Sequence, residues 1–411
     1  MIRHHIIFNK FTIMADFRII AKTLLGLEDI LASEILKIGG RDIETLNRAV
    51  AFTGDLGMIY KANLSLRTAL RILIPVHRFT VTDERSLYDE VKSIAWEDYL
   101  TADDTLAIDT VLSTDLFNHS QFISQKAKDA IADRFREREG RRPSVDLDRP
   151  VLRINLHILH DECSVSIDSS GDSLHKRGYR DQTNKAPMNE VLAAGLVLLS
   201  GWDRKRHLVD PMCGSGTILI EAAMIAANIP PGYYRTEFAF MLWKKFMPFD
   251  EALFKTIEEA LIGRISSEPA SITGGEISHH VTRKARENVK LAKVDDLVVV
   301  KEGSMFDFQP PAGPGVLILN PPYGERMNKD DIFELYKNIG DTFKQKYAGY
   351  DCWMITSNME ALKVVGLRPS RKIRIFNGPL ECRFVKYEMY KGTKKIHKLN
   401  NGNVDAGSEQ S

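Results

Sequence analysis

The residues of this 411-residue chain best suited to act together on a substrate are Asn320-Pro321-Pro322-Tyr323. They follow an apolar run, Val316-Leu317-Ile318-Leu319, that reads as a buried strand bounded by Gly and Pro. Two prolines in succession cannot continue a sheet ladder, so the chain must leave the sheet there as a stiff loop. The loop carries one amide side chain, carbonyls without ladder partners and one aromatic ring. Such a set suits a planar NH2 group. The Asn320 oxygen and the Pro321 carbonyl would accept its two hydrogens, Pro322 would stiffen the turn, and Tyr323 would cover the ring that bears the amine. Ligands of open α/β sheets sit beyond the carboxyl ends of the strands, which is where this loop falls.

A second cluster lies upstream. His207-Leu208-Val209-Asp210 reads as the end of a strand, followed by Pro211-Met212-Cys213-Gly214-Ser215-Gly216-Thr217 and then an apolar helical pattern. Strand, Gly-x-Gly turn and helix make a nucleotide-type cradle, because glycine lets the backbone approach a ligand and the helix N-terminus faces it. Leu219 stands where the pyrophosphate fingerprint wants a further glycine, which argues against NAD or FAD. The next strand ends before Glu276, a carboxylate placed to accept from ribose hydroxyls.

The elements that must position these groups fall into two blocks. The first has strands over 17–21, 49–53 and 69–79, helices over 27–38, 56–64 and 126–138, and a hairpin of 151–159 with 163–168. It reads as an α+β module with one sheet. The second alternates strand and helix in the parallel-sheet manner, with strands over 207–210, 271–275, 298–301, 316–319, 352–356, 371–376 and 382–389. Asn377-Gly378-Pro379 joins the last two as an antiparallel pair. An insertion of about forty residues, 228–265, carries Phe238, Phe240, Trp243, Phe246 and Phe249. Stacking on bases is one reading of these aromatics. Packing is favoured, since a segment leaving a crossover helix returns to the amino end of the next strand.

Composition narrows the class. The chain is 44% hydrophobic and 27% charged, the balance of a soluble globular protein. Its longest apolar run, 191–199, is too short to span a membrane, and the first ten residues carry no secretory pattern, so a cytoplasmic location is expected. The four cysteines, Cys163, Cys213, Cys352 and Cys382, form no Cys-x-x-Cys pair, which argues against a disulfide framework or structural zinc. The eleven histidines are scattered, and no metal is expected. Net charge is +1, yet 363–398 holds eleven Lys or Arg against two acids, the local clustering that phosphate binding needs. Between 127 and 140 the signs alternate, as on a solvated helix face.

Taken together, these residues resemble the class I S-adenosylmethionine-dependent methyltransferases that carry an N-terminal THUMP RNA-binding domain. Within that group the chain is most similar to the bacterial 23S rRNA guanine-N2 methyltransferases, often labelled as N6-adenine DNA methylases. The likeness rests on Asp-Pro-Met-Cys-Gly-Ser-Gly-Thr at 210–217 and Asn-Pro-Pro-Tyr-Gly-Glu-Arg at 320–326. Leu-His-Lys-Arg-Gly-Tyr-Arg at 174–180 and Ala-Pro-Met-Asn-Glu at 186–190 add to it. It covers roughly 16–392.

The resemblance implies a Rossmann-like α/β domain with a seven-stranded, mostly parallel sheet, preceded by a ferredoxin-like plus THUMP module. The expected divisions are an N-terminal extension over 1–15, with Met14 as a second possible start, then the RNA-binding module over 16–168. A basic connector over 169–185, the methyltransferase domain over 186–392 and a disordered tail over 393–411 follow. The implied cofactor is S-adenosyl-L-methionine and the implied partner is structured RNA, 23S rRNA or a pre-ribosomal particle. Asp210 would orient the methionine amino group. Pro211, Cys213, Gly214, Gly216 and Thr217 would line the cofactor, Glu276 would hold its ribose, and Ser304 and Met305 would lie near its adenine. The family usually has Asp at the position of Ser304, so Asp307 or a backbone group becomes the alternative acceptor. Asn320 would be catalytic and touch the cofactor. Asn118 and His119 would touch RNA, as would Lys176, Arg177 and Arg180, although that basic run could instead close over the cofactor. The alternatives are an adenine-N6 DNA or RNA methyltransferase, a tRNA guanine-N2 methyltransferase, and a non-catalytic ribosome assembly factor.

Overall fold

The computed structural model describes residues 16–180, 188–323 and 328–390. The expectations for 1–15 and 393–411, for Lys185 to Pro187 and for Gly324 to Arg326 lie outside the described residues. The chain forms two compact units.

The first unit comprises Glu28–Gly178 and Pro230–Arg264 with the preceding N-terminal strand. Its sheet is built from β1 (Phe17–Lys22), β2 (Arg41–Leu46), β3 (Ala49–Gly54), β4 (Arg71–Thr80), β5 (Thr105–Ser113), β6 (Ser144–Val145), β7 (Leu152–Leu159) and β8 (Glu162–Asp168). Their order is β2-β3-β1-β4-β8-β7-β5-β6. β7 shows the period-two burial that its alternating side chains dictate, and it pairs antiparallel with β8 and parallel with β5. β2 escapes sequence reading because it is an edge strand with no fully buried position, so it carries no apolar alternation. The aromatics of the insertion are core here. Phe238, Phe240, Trp243 and Phe246 are buried, Phe240 lies 4.6 Å from the Tyr60 ring, and Phe238 stacks on Phe240 at 5.2 Å. Packing, not base stacking, accounts for them.

The second unit comprises Leu25–Leu27, Tyr179–Ile229 and the chain from Ile265 onward. All seven expected strands are present, with ends moved by at most two residues: β9 (His207–Asp210), β10 (Ile272–Glu276), β11 (Val298–Glu302), β12 (Gly315–Leu319), β13 (Tyr350–Thr356), β14 (Arg371–Asn377) and β15 (Leu380–Glu388). Their order is β11-β10-β9-β12-β13-β15-β14, with β15 alone running against its neighbours. The seven-stranded, mostly parallel sheet is therefore as expected. From β9 the chain winds outward to β10 and β11, then returns to β12 on the other side. That reversal is the topological switch point, where a crevice opens at the carboxyl ends of the strands. β12 is buried at every position, which is why it reads as a continuous apolar run.

Candidate active site

Register brings the two sequence clusters together. Val209 pairs with Leu317 across β9 and β12, so three residues farther Met212 and Asn320 leave the sheet at the same level, roughly 4.8 Å being the spacing of adjacent strands. Gly274 pairs with Asp210, which sets Glu276 level with Met212 on the other side.

The glycine turn is tied down by bonds in which its backbone groups take part throughout. Cys213 N–H donates to the Gly275 carbonyl at 2.9 Å and Gly216 N–H to the Cys213 carbonyl at 2.9 Å. Gly214 N–H donates to Glu276 Oε2 at 3.2 Å, while Glu276 Oε1 accepts from Ser278 N–H at 2.9 Å. Asn288 Nδ2 donates to the Ser215 carbonyl at 2.9 Å. Gly214 and Gly216 have φ of 53° and 84°, a region closed to most side chains. Two further glycines, which sequence reading missed, let β10 lie against the turn. A Cβ on Gly274 would stand 2.3 Å from Leu219 Cδ1 and 3.1 Å from Cys213 Sγ, and one on Gly275 would stand 3.2 Å from the Pro211 carbonyl. Adjacent glycines inside a strand were the available signal.

Asp210 is 1% exposed, and Met212 N–H donates to its Oδ1 at 3.2 Å. Burial, with the Glu276 carboxylate adding, pushes its carboxyl from 3.8 up to about 8. A buried acid in this state gains most from a cationic ligand group, which restores its charge. An ammonium at Asp210, hydroxyls at Glu276 and a close nucleoside over Gly214 to Gly216 fit this turn. The Cys213 thiol is pushed well up, first by burial and then by Asp210 and Glu276, so it stays protonated and acts as a small packing group.

After β11, Ser304 Oγ accepts from Phe306 N–H at 3.2 Å and stabilises the local turn. Asp307 is exposed, whereas Met305 is 2% exposed and packs in the core with Val209, Phe308, Leu317 and Leu319.

The Asn320 loop is held by side chains from other elements. Tyr323 OH donates to Asn320 Oδ1 at 2.7 Å, and Asn377 Nδ2 donates to Tyr323 OH at 3.3 Å. Asn358 Nδ2 donates to the Tyr323 carbonyl at 3.0 Å. Tyr336 OH donates to the Pro322 carbonyl at 3.3 Å and shares a 2.6 Å bond with Thr356 Oγ1. Tyr323 thus meets Asn320 through its hydroxyl, which orients the amide and leaves the second lone pair of Oδ1 open. Burial, more than the neighbouring Cys382, raises the Tyr323 pKa, so its proton remains on oxygen. Among the described residues nothing donates to the Pro321 carbonyl. Asn358, Asn377, Tyr336 and Thr356 are supports that sequence reading did not find, since each lies on an element far from the loop in the chain.

The RNA expectations divide. Asn118 and His119 are exposed, just before the Ser120–Glu139 helix. Lys176 is partly exposed and paired with Asp172 at 3.2 Å. Arg177 is 2% exposed and donates to the carbonyls of Leu174 at 2.8 Å and Arg67 at 2.6 Å. The Arg180 side chain is 8% exposed, and its Nη2 donates to Thr217 Oγ1 at 2.8 Å. A phosphate needs an accessible cation, and of the three expected basic residues only Lys176 offers one in this structure. Among the described residues no group of three or more His, Cys, Asp or Glu could hold a metal, and no helix is long and apolar enough to cross a membrane.

Comparison with known families places three models along the chain. Residues 18–73 match an RlmL ferredoxin-like domain, 81–168 a THUMP domain, and 177–386 an RMKL-like methyltransferase domain. The chain is 38% identical over 387 residues to ribosomal RNA large subunit methyltransferase K/L of Syntrophotalea carbinolica, covering 91% of this chain and 54% of that protein. It therefore spans about half the length of that relative. It is 36% identical over 367 residues to slr0064 of Synechocystis sp., a candidate RNA methyltransferase, covering 89% of this chain and 95% of that protein. Among solved structures it is similar to SMU.472, complexed with SAH, at 30% identity and a TM-score of 0.81, covering 92% of this chain and 99% of that one.

Proposed function

We propose, from the premise that the chain belongs to the RMKL-like methyltransferase family with a THUMP domain, that it transfers a methyl group from S-adenosylmethionine to an exocyclic amine of an RNA base. The finer reading is guanine N2 of 23S rRNA, supported by the name of the Syntrophotalea relative and by the amide loop. That RNA would make the protein cytoplasmic. The observation that carries the proposal is the register of β9 and β12, which delivers Met212 in the glycine turn and Asn320 level with one another at the switch point. SAH in the SMU.472 structure supports the cofactor.

Bound S-adenosylmethionine would supply an electrophilic methyl group on a sulfonium. Asp210 would hold its ammonium, Glu276 its ribose, and the backbone of Cys213 to Gly216 its nucleoside. An aryl amine is a weak nucleophile because its lone pair is spread into the ring. Asn320 Oδ1 and the Pro321 carbonyl would accept the two amine hydrogens and aim the lone pair at the methyl group. Those bonds strengthen as positive charge develops on nitrogen, so they stabilise the transition state more than the bound substrate. Alignment supplies the rest. The proton, acidic once the nitrogen is quaternised, leaves to solvent. A base inside folded RNA would first be extruded.

The test is to incubate the protein with labelled S-adenosylmethionine and unmodified 23S rRNA, tRNA or DNA, then to identify the labelled nucleoside by mass spectrometry. N2-methylguanosine in rRNA is expected. Label in DNA alone overturns the RNA reading, N6-methyladenine replaces the base assignment, and tight RNA binding without label points to an assembly factor.

A further inference from the structure

We infer that Arg180 is the anchor for the carboxylate of the cofactor's amino-acid end, an inference that rests on the reading of the glycine turn as the cofactor site. Arg180 lies in the basic Leu-His-Lys-Arg-Gly-Tyr-Arg run, yet its side chain is only 8% exposed. Nη2 donates to Thr217 Oγ1 at 2.8 Å and to Tyr179 OH at 3.3 Å. Nε is 3.4 Å from Glu190 Oε1, an ion pair without a directed hydrogen bond. Nη1 is buried and has no partner among the described residues. Leaving a buried guanidinium N–H unmade is costly, so such a group calls for an acceptor that the chain itself does not provide.

The guanidinium sits where an anion has a second reason to bind. Thr217 opens the Thr217–Ala226 helix, whose N-cap is Gly216 in the left-handed conformation with no side-chain cap. The first-turn N–H groups of a helix have no partner within it, and glycine cannot reach them with a side chain. A free Nη1 beside an uncapped helix N-terminus makes a two-sided receptor for one anionic group.

The surroundings select among anions. Glu190 and Glu221 are buried, and their carboxylates act on the guanidinium so that its charge does not go uncompensated. A doubly charged phosphate would be repelled here, and RNA could not reach a side chain this buried. A singly charged carboxylate suits a site that lacks an acceptor more than it lacks a negative charge. With Asp210 taking the ammonium, the turn would recognise both ends of a zwitterion.

Titration calorimetry on the full chain tests this with two probes, S-adenosylmethionine and its decarboxylated form, which keeps the ammonium. R180Q is expected to weaken S-adenosylmethionine roughly tenfold or more, and to leave the decarboxylated probe within about twofold. R180K keeps the charge but loses the fork, and is expected to show the same selective loss to a smaller degree. It carries the comparison if R180Q does not fold. Equal loss for both probes, or loss for neither, overturns the inference. Glu276→Ala separates the two readings, since it is expected to weaken both probes alike. If it does so while neither Arg180 variant is selective, the inference alone fails. If Glu276→Ala changes neither, the glycine-turn reading fails and takes the inference with it.

Discussion

The glycine turn and the Asn320 loop leave neighbouring strands side by side, yet different bonds hold them. The turn after β9 is fastened through its own backbone groups, which bond to one another, to β10 and to the side chains of Asp210, Glu276 and Asn288. The loop after β12 is fastened by Tyr336, Thr356, Asn358 and Asn377, which come from the following helix and from β13 and β14 or the turn after β13. In the proposed reaction the turn would fit one invariant cofactor and the loop would present an amide to a base. On that reading the cofactor end rests on glycine conformation and ties to the neighbouring strand, and the substrate end on side chains from other elements.

Four changes test that contrast. Asn320→Ala should have the largest effect, lowering methyl transfer by about a hundred- to a thousandfold while leaving cofactor affinity within a few-fold, as for loss of one oxyanion-hole donor. Single-turnover rates beside calorimetry check it, and a large loss of cofactor binding would mean the loop belongs to the cofactor end. Gly274→Ala should do the reverse. Its methyl group meets Leu219 and Cys213, and displacing them should destabilise the fold by about 1–3 kcal/mol and weaken the cofactor. Urea unfolding with and without SAH reads both. Asn358→Ala removes one support from the Tyr323 carbonyl and should lower kcat roughly three- to tenfold with cofactor affinity unchanged. An unchanged kcat would deny the loop its dependence on that support.

The last change concerns pH dependence. Asp210 has its carboxyl raised from 3.8 to about 8 in the ligand-free fold. Between those values the folded chain keeps a proton that the unfolded chain has released, so this group's contribution to stability falls as pH rises from about 4 to about 8. Melting temperatures at pH 5 and pH 8 should show a drop in the wild type that is smaller in Asp210→Asn. An identical drop in both would show that this carboxyl is not the group responsible.

Much of the second unit was legible because its parallel strands are buried on both faces. Val316 to Leu319 and Cys352 to Thr356 are apolar runs that solvent exposure would forbid, and prolines and glycines punctuate them. The glycine turn was legible for a similarly local reason, since glycine adopts the positive φ of Gly214 and Gly216 more readily than other residues. The insertion was legible as packing, but its aromatic partners, such as Tyr60, lie far away in the chain.

By itself the order of residues determined the strands of the second sheet, the glycine turn after β9 and the proline-stiffened loop after β12, because each follows from the conformational limits of a few adjacent residues. Tertiary structure alone decided that Arg177 and Arg180 turn inward, that Gly274 and Gly275 admit the turn, and that Asn358, Asn377 and Tyr336 converge on the loop. A guanidinium looks the same on a surface as in an interior until distant carbonyls and hydroxyls are brought to it. Folding, which sets those distances, is what buried two arginines of a basic stretch.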